Sequence, residues 1–247
     1  MKDYISLEPL DKDCSDLLLH LSAPFASVMR QVYLWMTFAL CISGITAHAV
    51  ANSPLLVSYM FVHQQWLFWC LAGVLLALVF ILSAFIDKLS MFTATLLFIL
   101  FSLVNGVVLS SIFLTYTMES IGSVFFVTAG LFLTMSIIGY TTKKDLTSMG
   151  NLFYMSLWGL ILSTIVNVFI HSSMMTLLIN YAGVIIFIGL TAYDTQKIKQ
   201  RLLSSYLSPS PTPSTSLSKI ALLGALELYL DFINMFLYLL RLFGKKK

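Results

Sequence analysis

The sequence predicts an all-α polytopic membrane protein, and three observations support this fold class. Hydrophobic residues make up 59% of the 247 residues, whereas charged residues make up only 10%. The mean hydropathy is +0.92, which lies far outside the range of soluble domains. The apolar residues are also grouped into long stretches, as expected of helices that cross a bilayer.

Seven stretches are long enough to span a membrane. Lipid offers no partner for backbone N–H and C=O groups, so a spanning segment must be helical and needs roughly 20 apolar residues. We place these segments at about 32 to 51, 66 to 86, 91 to 114, 121 to 142, 151 to 170, 175 to 196 and 220 to 243. The sequence therefore predicts a single seven-helix membrane domain over residues 32 to 243.

The parts of the chain outside the predicted helices differ in character. Residues 1 to 31 are polar and acid-rich and lack the features of a signal peptide, so we interpret them as a soluble acidic tail. Residues 204 to 218 contain Pro209, Pro211 and Pro213, which predict a flexible loop between the sixth and seventh segments. Residues 244 to 247 read GKKK and form a basic C-terminal end.

Loop charges predict the orientation of the bundle, because short cytoplasmic loops accumulate Lys and Arg. The opposite connections contain no Lys or Arg, so we expect the N-terminus to be cytoplasmic. The C-terminal lysines leave two alternatives open, in which they either cross the membrane or follow a short or re-entrant seventh segment. The basic residues that fall on one side are Arg30, Lys88, Lys143, Lys144, Lys197, Lys199 and Arg201.

Three acidic residues lie inside the predicted helices: Asp194 in the sixth, and Glu227 and Asp231 in the seventh. A charge at the bilayer centre costs roughly 3 kcal/mol, so an intramembrane acid indicates a functional site. The spacing of the polar residues in the seventh segment places them on one stripe of a helix. Such a stripe must face the bundle interior or water, which predicts a central position for this helix. The stripe consists of Glu227, Asp231, Asn234, Tyr238 and Arg241.

Asp231 has no predicted basic partner at its depth, and Asp194 is the nearest intramembrane acid on another helix. Two carboxylates in a dry site cannot both ionise comfortably, so we expect one to keep a proton and the pair to sense pH. A Ca²⁺ ion is the alternative occupant, because carboxylate oxygens suit it. We therefore predict that Asp194 and Asp231 form a gating pair and are candidate Ca²⁺ ligands.

Three motifs, found in order along the chain, resemble those of a known family. They are GYTTKKDLTSMG at 139 to 150, AYDTQKIK at 192 to 199 and LELYLDFINMFLYLLRLFG at 226 to 244. The sequence resembles the transmembrane Bax-inhibitor-motif family over roughly residues 28 to 244. Bacterial members of that family are seven-helix inner-membrane proteins.

This resemblance implies six helices around a central seventh and a pH-sensitive calcium leak activity. The sensing aspartates of the family correspond to Asp194 and Asp231, in agreement with the pair chosen above. Calcium-leak members also carry an acid and an arginine in the second helix, whereas this chain has only Asp87 and Lys88 at its edge. The residues that we expect to line or orient the site are Tyr193, Glu227, Asn234 and Arg241.

Two other function classes match parts of the sequence. Intramembrane aspartyl proteases also use two aspartates, and Tyr193 with Asp194 matches the first half of their pattern. Their second half needs a glycine-rich GxGD motif, whereas this chain reads LYLD at 228 to 231, so we predict that it is not an enzyme. The remaining alternative is a non-transporting regulator that binds a membrane-bound protease or another membrane partner, with the acidic tail as a docking segment.

The expected partners are few. We predict the lipid bilayer, protons and Ca²⁺, and no nucleic acid. The three cysteines show no CxxC or His/Cys spacing, so neither a zinc site nor redox chemistry is predicted. We expect no resident cofactor.

Overall fold

The fold is known from a computed structural model, which describes residues 8 to 58, 65 to 142, 145 to 207 and 214 to 247. Lys143, Lys144 and the three prolines of the predicted loop lie outside the described residues. Throughout the described ranges the regular structure is helical, apart from one isolated bridge between Tyr116 and Lys246. The predicted all-α class is therefore confirmed for this part of the chain.

The described residues form eight α-helices and one short 3₁₀ helix, at Thr147–Met149. Three of the described helices begin with side-chain caps: the Ser90, Thr117 and Ser172 hydroxyls accept hydrogen bonds from the backbone N–H groups of Thr93, Ser120 and Met175. The helices are α1 (Glu8–Ala51), α2 (Pro54–Val57), α3 (Gln65–Phe85), α4 (Met91–Thr115), α5 (Met118–Thr141), α6 (Gly150–Ile170), α7 (Ser173–Leu207) and α8 (Ser214–Phe243).

Six of these helices, α1 and α4 to α8, are long and apolar enough to cross a membrane. The predicted segment at 66 to 86 corresponds to α3, in which the described apolar stretch, Trp69–Phe85, is shorter than a full span. The multi-pass architecture is thus confirmed. The total of seven spanning helices stays a prediction.

Three helices extend beyond the predicted boundaries. In α1 the helix begins at Glu8, and the buried stripe of Phe25, Val28, Met29 and Val32 shows that packing starts before residue 32. Residues 8 to 31 are therefore helical, and the acidic tail predicted for 1 to 31 is shortened accordingly. The predicted loop at 204 to 218 is also shorter, because α7 continues to Leu207 and α8 begins at Ser214.

Helix α8 is the centre of the bundle. It packs against α1, α3, α4, α5 and α7, while α6 packs on the outer side of α7. Leu228, Tyr229 and Met235 of α8 are completely buried. A helix enclosed in this way keeps most of its surface away from lipid, and the polar residues on its buried sides must find partners inside the bundle.

The bundle has two ends, which we call the near end and the far end. The near end holds Asp87 and Lys219, since the Lys219 ammonium donates a 3.0 Å hydrogen bond to the Asp87 carbonyl. At the far end, the backbone of residues 245 to 247 pairs with that of residues 115 to 117. Helix α8 therefore runs the full length of the bundle, and the C-terminal lysines lie at the end opposite to Asp87.

Candidate functional site

The two aspartates chosen from the sequence are neighbours in the structure. The carboxyl groups of Asp194 in α7 and Asp231 in α8 lie side by side, within reach of one hydrogen bond. Only 9% of Asp194 and 4% of Asp231 is exposed. A hydrogen bond between two carboxyl groups requires a proton on one of them, since an ionised carboxylate can only accept. The arrangement can therefore hold one shared proton.

Asp231 has an incompletely satisfied carboxyl group. Its Oδ2 atom is buried and has no hydrogen-bond partner among the described residues. An orphaned buried oxygen is costly in a protein interior and often marks a functional position. Among the described residues, no side chain other than that of Asp194 is therefore a direct partner of the Asp231 carboxyl group.

Aromatic packing fixes the part of α8 that carries Asp231. The ring of Phe232 makes edge contacts with Phe132 and Phe125 of α5, with centroid distances of 5.6 and 5.3 Å. Tyr229 makes a similar contact with Phe101 of α4 at 5.4 Å. These contacts surround one turn of α8 on two sides, so the backbone that presents Asp231 is held in place.

Hydroxyl groups fix the corresponding turn of α7. The Thr195 hydroxyl donates to the Thr191 carbonyl at 2.7 Å and lies 3.0 Å from the Ser136 hydroxyl of α5. The side-chain oxygen of Gln196 accepts a 2.7 Å hydrogen bond from the backbone N–H of Leu146. Asp194 is therefore flanked in the chain by residues that connect α7 to α5 and to the segment before α6.

A charged cluster lies one helical turn from the aspartate pair, toward the near end. The Arg201 guanidinium donates two hydrogen bonds to Glu227, at 2.8 and 2.9 Å. The Lys197 ammonium donates to Glu227 at 3.1 Å and lies 3.8 Å from the nearer oxygen of Asp194. We call Lys197, Arg201 and Glu227 the ion-paired rung, because they connect α7 and α8 beside the pair.

The sequence interpretation missed Lys197 and Arg201 as site residues. Both had been assigned to the cytoplasmic boundary, as basic residues at the end of a predicted span. A signal was present, because Asp194, Lys197 and Arg201 are spaced by three and four residues and so share one face of α7. The acids of α8, Glu227 and Asp231, are four residues apart and can meet that face in antiparallel order.

The remaining predicted site residues do not all reach the pair. Tyr193 is buried beside Phe153 of α6, with ring centroids 5.7 Å apart. The Asn234 amide donates to the Leu230 carbonyl of its own helix at 2.8 Å. Arg241 is exposed, and its guanidinium stacks on Tyr238 at 5.4 Å. Arg241 is ten residues beyond Asp231, about 15 Å along the helix, so it shares the stripe but not the site.

The side chains around the aspartate pair do not form a complete binding site for Ca²⁺. Calcium takes six to eight oxygen ligands in roughly spherical arrangements. Among the residues that the structure describes, no group of three or more His, Cys, Asp or Glu side chains is positioned to hold a metal ion. Glu227 is engaged by two cations. The pair alone offers at most four carboxylate oxygens, so water would have to supply the other ligands of a Ca²⁺ ion there.

Fold and site together define a class of protein. It is a multi-pass helical membrane protein in which a buried central helix shares a carboxyl pair with its antiparallel neighbour.

Comparison with known proteins identifies the family. The family described as "Inhibitor of apoptosis-promoting Bax1" matches residues 26–247. The chain belongs to this Bax inhibitor family, as the motifs had indicated.

Similar proteins occur in several bacteria. The chain is 45% identical to the "Inner membrane protein YbhL" of Escherichia coli K12 over 233 residues, which is 94% of this chain and 97% of that protein. It is 41% identical to an uncharacterised protein of Borreliella burgdorferi over 220 residues, covering 89% and 92% of the two chains. A Rickettsia prowazekii protein, RP147, is 36% identical over 219 residues, covering 89% of each chain. The name of the E. coli relative agrees with the predicted multi-pass placement in the inner membrane.

Proposed function

We propose that this protein is a pH-sensitive calcium leak of the bacterial inner membrane, gated by Asp194 and Asp231. The observation that supports the proposal most directly is the close approach of two buried carboxyl groups on different helices, within reach of one hydrogen bond. A single proton then determines whether the contact between α7 and α8 is attractive or repulsive. The near end, where the two helices meet the ion-paired rung, is proposed to face the cytoplasm.

Charge balance supports the one-proton state. The rung contributes two positive charges from Lys197 and Arg201 and one negative charge from Glu227. With one shared proton the aspartate pair carries a single negative charge, so the five groups are neutral together. Removal of that proton leaves an uncompensated negative charge in a low-dielectric interior, which is strongly unfavourable.

The proposed mechanism follows from that imbalance. At acidic pH the shared proton holds α7 against α8, and the bundle is closed. At higher pH the proton is lost, the two carboxylates repel each other, and water enters between the helices at the near end. A Ca²⁺ ion is attracted to the exposed carboxylates as cargo and passes when the helices separate. Leak activity is therefore proposed to rise with pH.

Proteolysis is not part of this proposal. An aspartyl protease must bring a substrate backbone close to its second aspartate. Here the residues before Asp231 are Leu228, Tyr229 and Leu230, and the first two are completely buried by neighbouring helices. A peptide would have no path to the carboxyl group from that side.

The test is a flux measurement on the purified chain in liposomes that contain a Ca²⁺-sensitive dye. Flux is recorded from mildly acidic to mildly alkaline pH for the native chain, Asp194→Asn and Asp231→Asn. We expect native flux to rise with pH and the variants to lose this dependence, because asparagine donates a hydrogen bond without a titratable proton. Asp87→Asn is the matched control, since Asp87 is an exposed carboxylate at the near end and should keep the native profile.

Two outcomes would contradict the proposal. Native flux that does not exceed that of empty liposomes, with the protein folded, would exclude the leak and favour the regulator that binds a membrane-bound protease. Native pH dependence that survives both substitutions would exclude the aspartate pair as the gate.

A further inference from the structure

The ion-paired rung is the most highly connected charged cluster near the aspartate pair. Arg201 contacts both oxygens of Glu227, and this two-pronged geometry restricts the relative position of α7 and α8 more than a single ion pair would. The side chain of Glu227 is only 18% exposed, so the pairing occurs largely away from solvent. Ion pairs that are shielded from water are screened less than surface pairs.

The rung and the aspartate pair lie in register along two antiparallel helices. In α7, Lys197 and Arg201 follow Asp194 by three and seven residues, whereas in α8 Glu227 precedes Asp231 by four. When Asp194 is opposite Asp231, Lys197 is therefore level with Glu227 to within one residue, and the longer Arg201 side chain reaches the same carboxylate from one turn further along α7. Sliding one helix by a turn, about 5.4 Å, would break both contacts together.

Lys197 connects the two contacts. Its ammonium lies 3.1 Å from Glu227 and 3.8 Å from Asp194, and it also lies 5.9 Å from the centre of the Tyr193 ring. A cation between two carboxylates on different helices favours one arrangement of both. The orientation of Asp194 is thus coupled to the position of Glu227 on α8.

We propose that Arg201 and Lys197 are positioning residues, which act through Glu227 to hold α7 and α8 in the register that brings Asp194 to Asp231. This inference rests on the proposed function, because it assigns the rung a role toward the same carboxyl pair. It adds Arg201, Lys197 and Glu227 to the residues on which the gate depends.

Infrared spectroscopy of the reconstituted full-length chain at one acidic pH tests the proposal without any flux measurement. The carbonyl band of the hydrogen-bonded carboxyl pair is identified as the band that Asp231→Asn removes. We expect Arg201→Gln and Glu227→Gln to shift this band to the position of an isolated carboxylic acid. Arg201→Lys keeps a cation but cannot contact both oxygens of Glu227 in the same geometry, so it should shift the band less than Arg201→Gln does.

Lys199→Gln is the matched control. Lys199 lies on the same helix two residues before Arg201, but it stacks over Phe25 and Tyr140, at 6.0 and 5.7 Å. Its removal deletes a positive charge at the same end without touching the rung, so the native band should persist. A native band in folded Arg201→Gln and Glu227→Gln would overturn the proposal, as would an equal shift in Lys199→Gln.

The result is separable from the flux experiment. A shifted band in the rung variants supports the positioning role even if no Ca²⁺ passes through the native protein. Where Arg201→Gln does not fold, the same comparison is made with Lys197→Gln and Glu227→Gln, which must shift the band for the proposal to stand. If flux depends on the two aspartates but the band is unshifted in every rung variant, the aspartate pair remains the gate. The positioning role of the rung is then rejected.

Discussion

The amide nitrogen of Asn105 in α4 donates a 2.7 Å hydrogen bond to the hydroxyl of Tyr229 in α8. The same hydroxyl lies 2.6 Å from Ser43 of α1, which in turn donates to the Ser102 carbonyl of α4 at 2.8 Å. Tyr229 thus ties α8 to α1 and α4, two residues before Asp231. Because side chains two residues apart point to nearly opposite sides of a helix, Asp231 is left to face α7. We therefore expect α7 to be the helix that moves when the carboxyl pair loses its proton.

Tyr229→Phe should loosen α8 from α1 and α4. The substitution removes a buried hydroxyl and leaves the Asn105 amide without its partner, at an expected cost of about 1–2 kcal/mol in the free energy of unfolding. The measurement is thermal or denaturant unfolding of the protein in detergent. Tyr181→Phe is the matched control, because Tyr181 is half exposed. Equal stability of the two variants would show that the buried network does not hold α8.

Gly139→Ala should separate α5 from α7 beside Asp194. A Cβ atom at position 139 would collide with the backbone of Ala192 in α7, which cannot move aside as a flexible side chain can. We expect a loss of about 1–3 kcal/mol in stability, the usual range for overpacking. Gly130→Ala, on the same helix in open space, should be neutral or stabilising by up to about 1 kcal/mol. Similar unfolding curves for Gly139→Ala and the native chain would rule out this close contact.

The fold was predictable from hydropathy because the cost of unpaired backbone in lipid leaves few alternatives to long helices. The boundaries were less predictable. Ile198 and Leu202 are buried beyond the predicted end of the sixth span, because packing against α8 continues where hydropathy falls. The aspartates could be selected from the cost of burying charge alone. Lys197 and Arg201 could not, since basic residues at a helix end are usually boundary markers.

Helical spacing also included residues that lie away from the aspartate pair. It placed Arg241 on the stripe of Asp231, and the two do share a face of α8. Periodicity reports the angle around a helix and carries no information on depth, so a residue several turns away satisfies it equally well. The count of residues supplies the depth, because ten residues place Arg241 about 15 Å beyond Asp231 along α8.

A cysteine pair at Tyr116 and Lys246 should form a disulfide. The two residues are opposite each other in an antiparallel bridge, and its hydrogen bonds join the residues on either side of them. In such a pair the Cα atoms should be about 4.5 Å apart, which is within the range that a disulfide can span. The variants are made in a chain in which Cys14, Cys41 and Cys70 are replaced by serine. Because the periplasm is oxidising, we expect the bond to form spontaneously in cells, and mobility on a non-reducing gel reports it.

Each single-cysteine variant controls for bonds between molecules. If the cysteines at 116 and 246 stay reduced in cells but form a disulfide after purification and oxidation, the far end lies in the cytoplasm. That result would contradict the predicted orientation. A pair that never forms a bond would contradict the backbone pairing at the far end.

The central claim is that one shared proton holds the near ends of α7 and α8 together. It is tested most directly by the distance between two spin labels, one on Ser204→Cys and one on Asp87→Cys. Position 204 is at the near end of α7. Position 87 reports on the near end of α8, because Lys219 of α8 donates a hydrogen bond to its backbone carbonyl. The distance between the labels is measured in the cysteine-free chain at acidic and alkaline pH, with and without Asp194→Asn. The account predicts a longer distance at alkaline pH in the chain with native aspartates and a constant, short distance in Asp194→Asn. A distance that does not change with pH, or one that lengthens equally in Asp194→Asn, would contradict it.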